Sequence, residues 1–240
     1  MPVCLASVST VSDAQRLRGE GRWAEALELV DDPLVRADLL NEQALFAGDA
    51  EARAAAGREL DRAEALVALG RGRILHAEFL ATRERNANEL ALFERALASA
   101  VAVGDPLLEG WARLWIGLFH QVVDNDGGTA RPFFEAAYAA GEAHGDRVLM
   151  SYATRHLAWE DEAAGDLERS WARWEASVEL RRVEGFMPGV AAGLLTLGEV
   201  AAERGRPDDA RRLLAEAREL AERSNARAFL ARIDAVLAEL

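Results

Sequence analysis

Lysine is missing from this chain altogether, so all 28 of its basic residues are arginine. Without an ammonium side chain there is no Schiff-base nucleophile and no phosphate-gripping P-loop. Cysteine is nearly missing too. Cys4 stands alone among 240 residues, which rules out an intrachain disulfide and suits a reducing compartment. Only six prolines interrupt the backbone, leaving helix permitted almost everywhere. No apolar run approaches the ~20 residues that a membrane-crossing helix needs. Residues 1–10 lack a basic segment and are too short for a secretory leader. A soluble cytoplasmic protein that does not engage a membrane is expected. Positive charge is also in deficit, with a formal net charge of -13. An acidic surface repels phosphate, which argues against nucleic acid as a direct partner.

What the chain has in quantity is alanine, leucine, glutamate and arginine, all strong helix formers, set between evenly spaced breaks. Gly104, Gly145, Gly185 and Asn225 follow one another at steps of 41, 40 and 40. Asn86, Gly127, Gly165 and Gly205 form an interleaved series with steps of 41, 38 and 40. The stretches between them hold four to five helical turns. Stacked helical hairpins, each burying its apolar face against its neighbours, give this signature.

The pattern predicts a single array over residues 1–240, with hairpins at about 11–31, 33–70, 71–104, 106–145, 146–185 and 188–225, and a cap at 226–240. Asp32 and Pro33 mark a helix start, since aspartate caps and proline is preset for the first turn. Gly48 and Asp49 turn that helix into a partner expected over 50–69. The clearest amphipathic stripe is Ala210, Leu213, Leu214, Ala217, Leu220 and Ala221, after Pro207 and two first-turn aspartates. Phe229, Leu230, Ile233, Val236, Leu237 and Leu240 put one apolar face on a last helix, as the end of an array requires.

Leu197 and Gly198, then Gly205, Ala210, Leu214 and Ala217, place large and small residues in a set order. One unit earlier, Leu157, Ala158, Gly165, Ser170, Trp174 and Ser177 repeat it. Ala130, Phe134 and Ala137 keep its second-helix part, and Gly21, Arg22, Trp23 and Ala26 its turn. This order resembles the tetratricopeptide (TPR) repeat, most fully over residues 146–224. The small positions let helix backbones cross closely. The 38–41-residue period exceeds the ~34 of standard repeats, and Gly or Asn replaces the closing proline. Longer-helix variants of this kind look similar to sensor regions of bacterial transcriptional regulators. HEAT-type solenoids share the longer period but lack the paired small residues. The resemblance implies an all-α fold, a right-handed solenoid of stacked hairpins with a C-terminal capping helix.

It also implies that one face of each first helix lines a concave groove. By position, that face carries Tyr152, Arg155, Trp159 and Glu162 in the 146–185 unit. The preceding unit contributes Trp115, Phe119 and Val122, and the following one Leu195, Glu199 and Glu203. Aromatics beside an arginine are the side chains enriched at binding hot spots. The guanidinium is suited to clamping a carboxylate or stacking on a ring. Trp111, Trp171, Trp174, Phe133, Phe134 and Tyr138 are read as core. The expectation is a non-catalytic scaffold that binds a protein or peptide, of basic character if the acidic clusters contribute. The alternative is a ligand-sensing domain that takes a small molecule or signalling peptide and acts on a partner protein. No helix-turn-helix is recognisable, and the sequence does not set the oligomeric state.

Catalytic and metal signatures have no support in the residue pattern. His76, His120, His144 and His156 do not pair at ligand spacing, and HExxH, GxSxG and GxGxxG are missing. His156 beside Glu160 and Asp161 is nominally an acid–base pair, but carboxylates near histidine are expected at this acidic density. Asp124 to Gly128 resembles the start of a calcium loop, yet Thr129 stands where that loop needs glycine and Gly128 where it needs an oxygen ligand. No catalytic residue, metal or cofactor is expected.

Overall fold

The computed structural model describes residues 8–240, so Cys4 lies outside the described residues. Among these residues there are twelve α-helices and no strand. Within each of its two units the helices pack chiefly on their neighbours in sequence, as in an all-α solenoid. No described helix is long and apolar enough to cross a membrane. Contacts between residues group into two compact units, one reaching Trp115 and the other running over Ile116–Leu240.

The first unit holds α1 (Val8–Gly19), α2 (Trp23–Leu27), α3 (Pro33–Phe46), α4 (Ala50–Thr82), α5 (Glu89–Val103) and the start of α6 (Pro106–Leu118). Asp32 caps α3 by accepting from Leu34 N and Val35 N, with Pro33 in the first turn. Asp49 caps α4 in the same way through Glu51 N and Ala52 N. The expected boundary between residues 70 and 71 is not a break, because α4 continues through it for 33 residues. A lone glycine costs a helix only about 1 kcal/mol, too little to end one that packs on both sides. Gly72 answers a packing need instead, since a Cβ there would lie 2.4 Å from Phe93 Cε1. The chain turns at Arg83, held at φ 62, and Asn86 falls in the loop that follows.

The second unit contains the end of α6, a wide π-helical turn over Phe119–Val123, and then α7 (Gly127–His144) and α8 (Arg147–Ala163). It continues through α9 (Leu167–Val183), α10 (Met187–Glu203), α11 (Pro207–Arg223), a 3-10 turn (Arg227–Phe229) and α12 (Leu230–Glu239). The periodic breaks at Gly145, Gly165, Gly185, Gly205 and Asn225 all have positive φ. At the remaining one the left-handed residue is Asn125 rather than Gly127, which opens α7. Asp126, Asp146 and Asp166 cap α7, α8 and α9, accepting from Thr129 N, Leu149 N and Arg169 N.

The core of this unit joins Trp174 and Val178 of α9, Val190, Leu194 and Leu197 of α10, Leu213 and Leu214 of α11, and Ile233 of α12. The apolar stripe expected at the chain end packs against it. Gly198 lies where α11 crosses α10, and a Cβ there would meet Leu214 Cγ at 2.6 Å. Gly198→Val should therefore destabilise the chain by roughly 1–3 kcal/mol through overpacking. Urea denaturation checks this; an unchanged midpoint would show that the crossing has slack.

Candidate functional site

Tyr152 and Arg155 lie three residues apart on α8, and both border a cavity of about 240 Å³ in the second unit. Arg181 from the end of α9 and Phe186 from the following turn form another wall. Pro188, Gly189, Ala192, Leu195 and Thr196 of α10 supply a third, and Phe229 and Arg232 complete the lining. Gly189 makes this possible, because a Cβ there would lie 2.4 Å from the Phe186 ring and 3.0 Å from Arg181 Cδ.

Arg181 is only 1% exposed. Its Nε donates to Ser151 Oγ at 3.2 Å and its Nη1 to Gly189 O at 2.8 Å, while the guanidinium stacks 5.0 Å from the Tyr152 ring. Its Nη2 is buried without a hydrogen-bond partner. Arg155 Nη2 donates to Thr196 Oγ1 at 3.1 Å, and its Nε is likewise buried and unpartnered. Burial, together with the nearby Arg155 charge, pushes the Arg181 pKa down to about 10. Burial lowers that of Arg155 too, with the Tyr152 and Glu199 interactions opposing it. The third arginine, Arg232, is already committed, its Nη2 standing 2.7 Å from Glu199 Oε2.

Of the residues expected in a groove, Tyr152, Arg155 and Leu195 thus meet at one cavity. Glu199 neighbours it, pairing with Arg232 and acting electrostatically on Arg155. Trp159 is 38% exposed and packs edge-on against Trp174 at 5.1 Å. Glu162 pairs with Arg204 and accepts from Ser170 Oγ at 2.6 Å. Phe119 is buried. In the π turn that starts there, Asp124 N bonds Phe119 O five residues back, which shifts the side-chain register of the residues after Phe119. Trp115 belongs to the first unit, where it packs on Phe93 and His76 with ring centroids 5.7 and 5.5 Å away. Trp111, Trp174 and Phe134 are buried, as expected of core.

Sequence reasoning missed Arg181 because a basic residue in a last helical turn reads as solvated. A signal was present. Ser170, Trp174, Ser177, Val178 and Arg181 form one buried stripe along α9, and the arginine falls on its apolar side.

The other polar clusters are differently organised. Asp161, fully buried on α8, is held by Arg131 of α7 at 2.7 Å and by Arg169 and Arg173 of α9 at 3.0 and 2.6 Å. His156 Nδ1 stands 2.6 Å from Gln121 Oε1, so Gln121 rather than a carboxylate meets that ring nitrogen. In the first unit His76 Nδ1 meets the buried Glu89 at 2.7 Å. The turn over residues 124–128 is a helix cap, with Asp126 accepting from Thr129 N and Thr129 Oγ1. Among the described residues no group of three or more His, Cys, Asp or Glu is placed to hold a metal ion. Compared with known proteins, the chain matches no family model and has no recognisable relative among curated proteins.

Proposed function

We propose that this chain is a non-catalytic, ligand-sensing module of TPR-like construction, in which the α8–α10 cavity receives a small molecule or the tip of a peptide. The observation that carries this reading is the convergence of Tyr152, Arg155, Arg181 and Leu195 on one space of about 240 Å³. That volume suits a single compact group rather than a length of extended chain, since a cavity of about 150 Å³ already accepts benzene. The lining comes from α8, α9, α10 and α12, so an occupant would tie four helices together and alter what they present to a partner protein. The close crossing at Gly198 and Leu214 supports the TPR-like reading, and the single cysteine suits a reducing compartment.

A thermal-shift screen of small organic molecules and short peptides tests this. A ligand at a hundred times its Kd should add about 2.7 kcal/mol, raising the melting temperature by roughly 5–10 °C. Ala192→Phe, which fills the cavity from α10, should remove the response. Hits that survive in this variant, or no hits at all, would overturn the reading. A scaffold for a peptide of basic character is the second reading, favoured by the exposed Trp159 ring and the net charge of -13. It predicts loss of capture on Trp159→Ala and no effect of Ala192→Phe.

A further inference from the structure

We infer that Arg155 and Arg181 form a receptor for the carboxylate of a compact organic acid with an apolar body. This rests on the ligand-cavity reading above and names the class of ligand. Other arginines of the second unit find carboxylates: Arg131, Arg169 and Arg173 share Asp161, Arg204 takes Glu162, and Arg232 takes Glu199. The cavity pair differs. Every hydrogen bond that Arg155 and Arg181 make among the described residues ends on a neutral oxygen, from Thr196, Ser151 or Gly189. Two like charges lie together, with one buried nitrogen of each, Arg155 Nε and Arg181 Nη2, left without an acceptor. The second unit has acids to spare, yet among the described residues none hydrogen-bonds to this pair.

A buried cation without a counter-ion is costly, and an anion entering beside it recovers the interaction. The two orphan donors match the two oxygens of one carboxylate, reached by a small turn of each guanidinium plane. A phosphate, with three terminal oxygens, would be left short of donors. The remaining walls, from Tyr152, Phe186, Leu195 and Phe229, are apolar or aromatic. They call for a single ring or branched chain behind the carboxylate.

Calorimetry on the whole chain would use phenylacetate and 3-methylbutanoate as probes, against phenylacetamide, phenyl phosphate, inorganic phosphate, and a peptide with a free or amidated C-terminus. The acids should bind and the neutral amide should not. Arg155→Met and Arg181→Met should each weaken phenylacetate about tenfold to a hundredfold, with helical circular dichroism retained. Arg155→Lys, which keeps the charge but loses the fork, should fall between them and serves if a methionine variant does not fold. Equal binding of phenylacetamide would overturn the carboxylate receptor while leaving a ligand cavity intact. Tighter binding of phenyl phosphate, or binding of the free-terminus peptide alone, would reassign the site to those ligands. No binding of any probe at 10 mM would overturn this inference, and an empty thermal-shift screen would remove the cavity reading with it.

Discussion

Asp161→Asn should lower the melting temperature by roughly 10 °C. The carboxylate is fully buried and bonded to arginines from the helices on either side, Arg131 on α7 and Arg169 and Arg173 on α9. Removing one partner of a buried ion pair costs about 3–5 kcal/mol because the other charge is left uncompensated. Three guanidiniums would then face one another around an amide. Arg169 is half exposed and the other two reach solvent partly, so relaxation into water holds the loss near ~3 kcal/mol. At this chain length each kcal/mol moves the midpoint by about 2–4 °C. Burial pushes the Asp161 pKa up, but the arginine bonds outweigh it and hold the group below its ordinary value. Its contribution is therefore complete above the unfolded carboxylate range, near pH 4, and is lost as pH falls through the lower folded value. Wild type and variant should converge in strong acid. A shift of less than 2 °C at neutral pH would mean that the arginines hold α7 and α9 in place without Asp161.

Arg181→Met should act in the opposite direction and stabilise the ligand-free protein. Burial beside the Arg155 charge depresses this guanidinium to about 10, a desolvation cost on the order of a few kcal/mol. Methionine would fill much of the same space without a charge. The variant gives up the bonds to Ser151 Oγ and Gly189 O and the stack on Tyr152. Those losses offset part of the gain and leave about 1–2 kcal/mol. Urea titrations at neutral pH measure the difference. A variant less stable than wild type would show that Arg181 is an ordinary structural strut. A more stable variant that also loses phenylacetate would mark stability given up for recognition.

The helical array was legible because its punctuation is chemical. Gly145, Gly185 and Asn225 stand where a left-handed residue is needed, and few residues meet that need cheaply. The Asp32–Pro33 start and the terminal stripe through Ile233 were readable for similar reasons. Misreadings occurred where a glycine served another purpose. Gly70 lies inside a helix, and Gly72 makes room for the Phe93 ring, ten positions beyond the turn at Arg83. The aspartates at 126, 146 and 166 cap three successive helices, a signal equal to the glycines that went unread. For the cavity, Tyr152, Arg155 and Leu195 were named together by the TPR resemblance combined with helix register. Arg181 was not, since burying a guanidinium depends on Gly189 in the next helix, and no periodicity reports that.

The unbroken α4 fixes how the first unit can move. Leu40 and Ala44 of α3 rest on Ala52 and Ala56, whereas α5 meets the same rod further along, from His76 beside Glu89 back to Arg62 beside Asp105. Two hairpins share one strut about 50 Å long, with no joint at which either can swing away. Amide exchange along α4 should report on both companions: if the rod carries the strain, a variant that loosens α3 should also lower protection where α5 is docked.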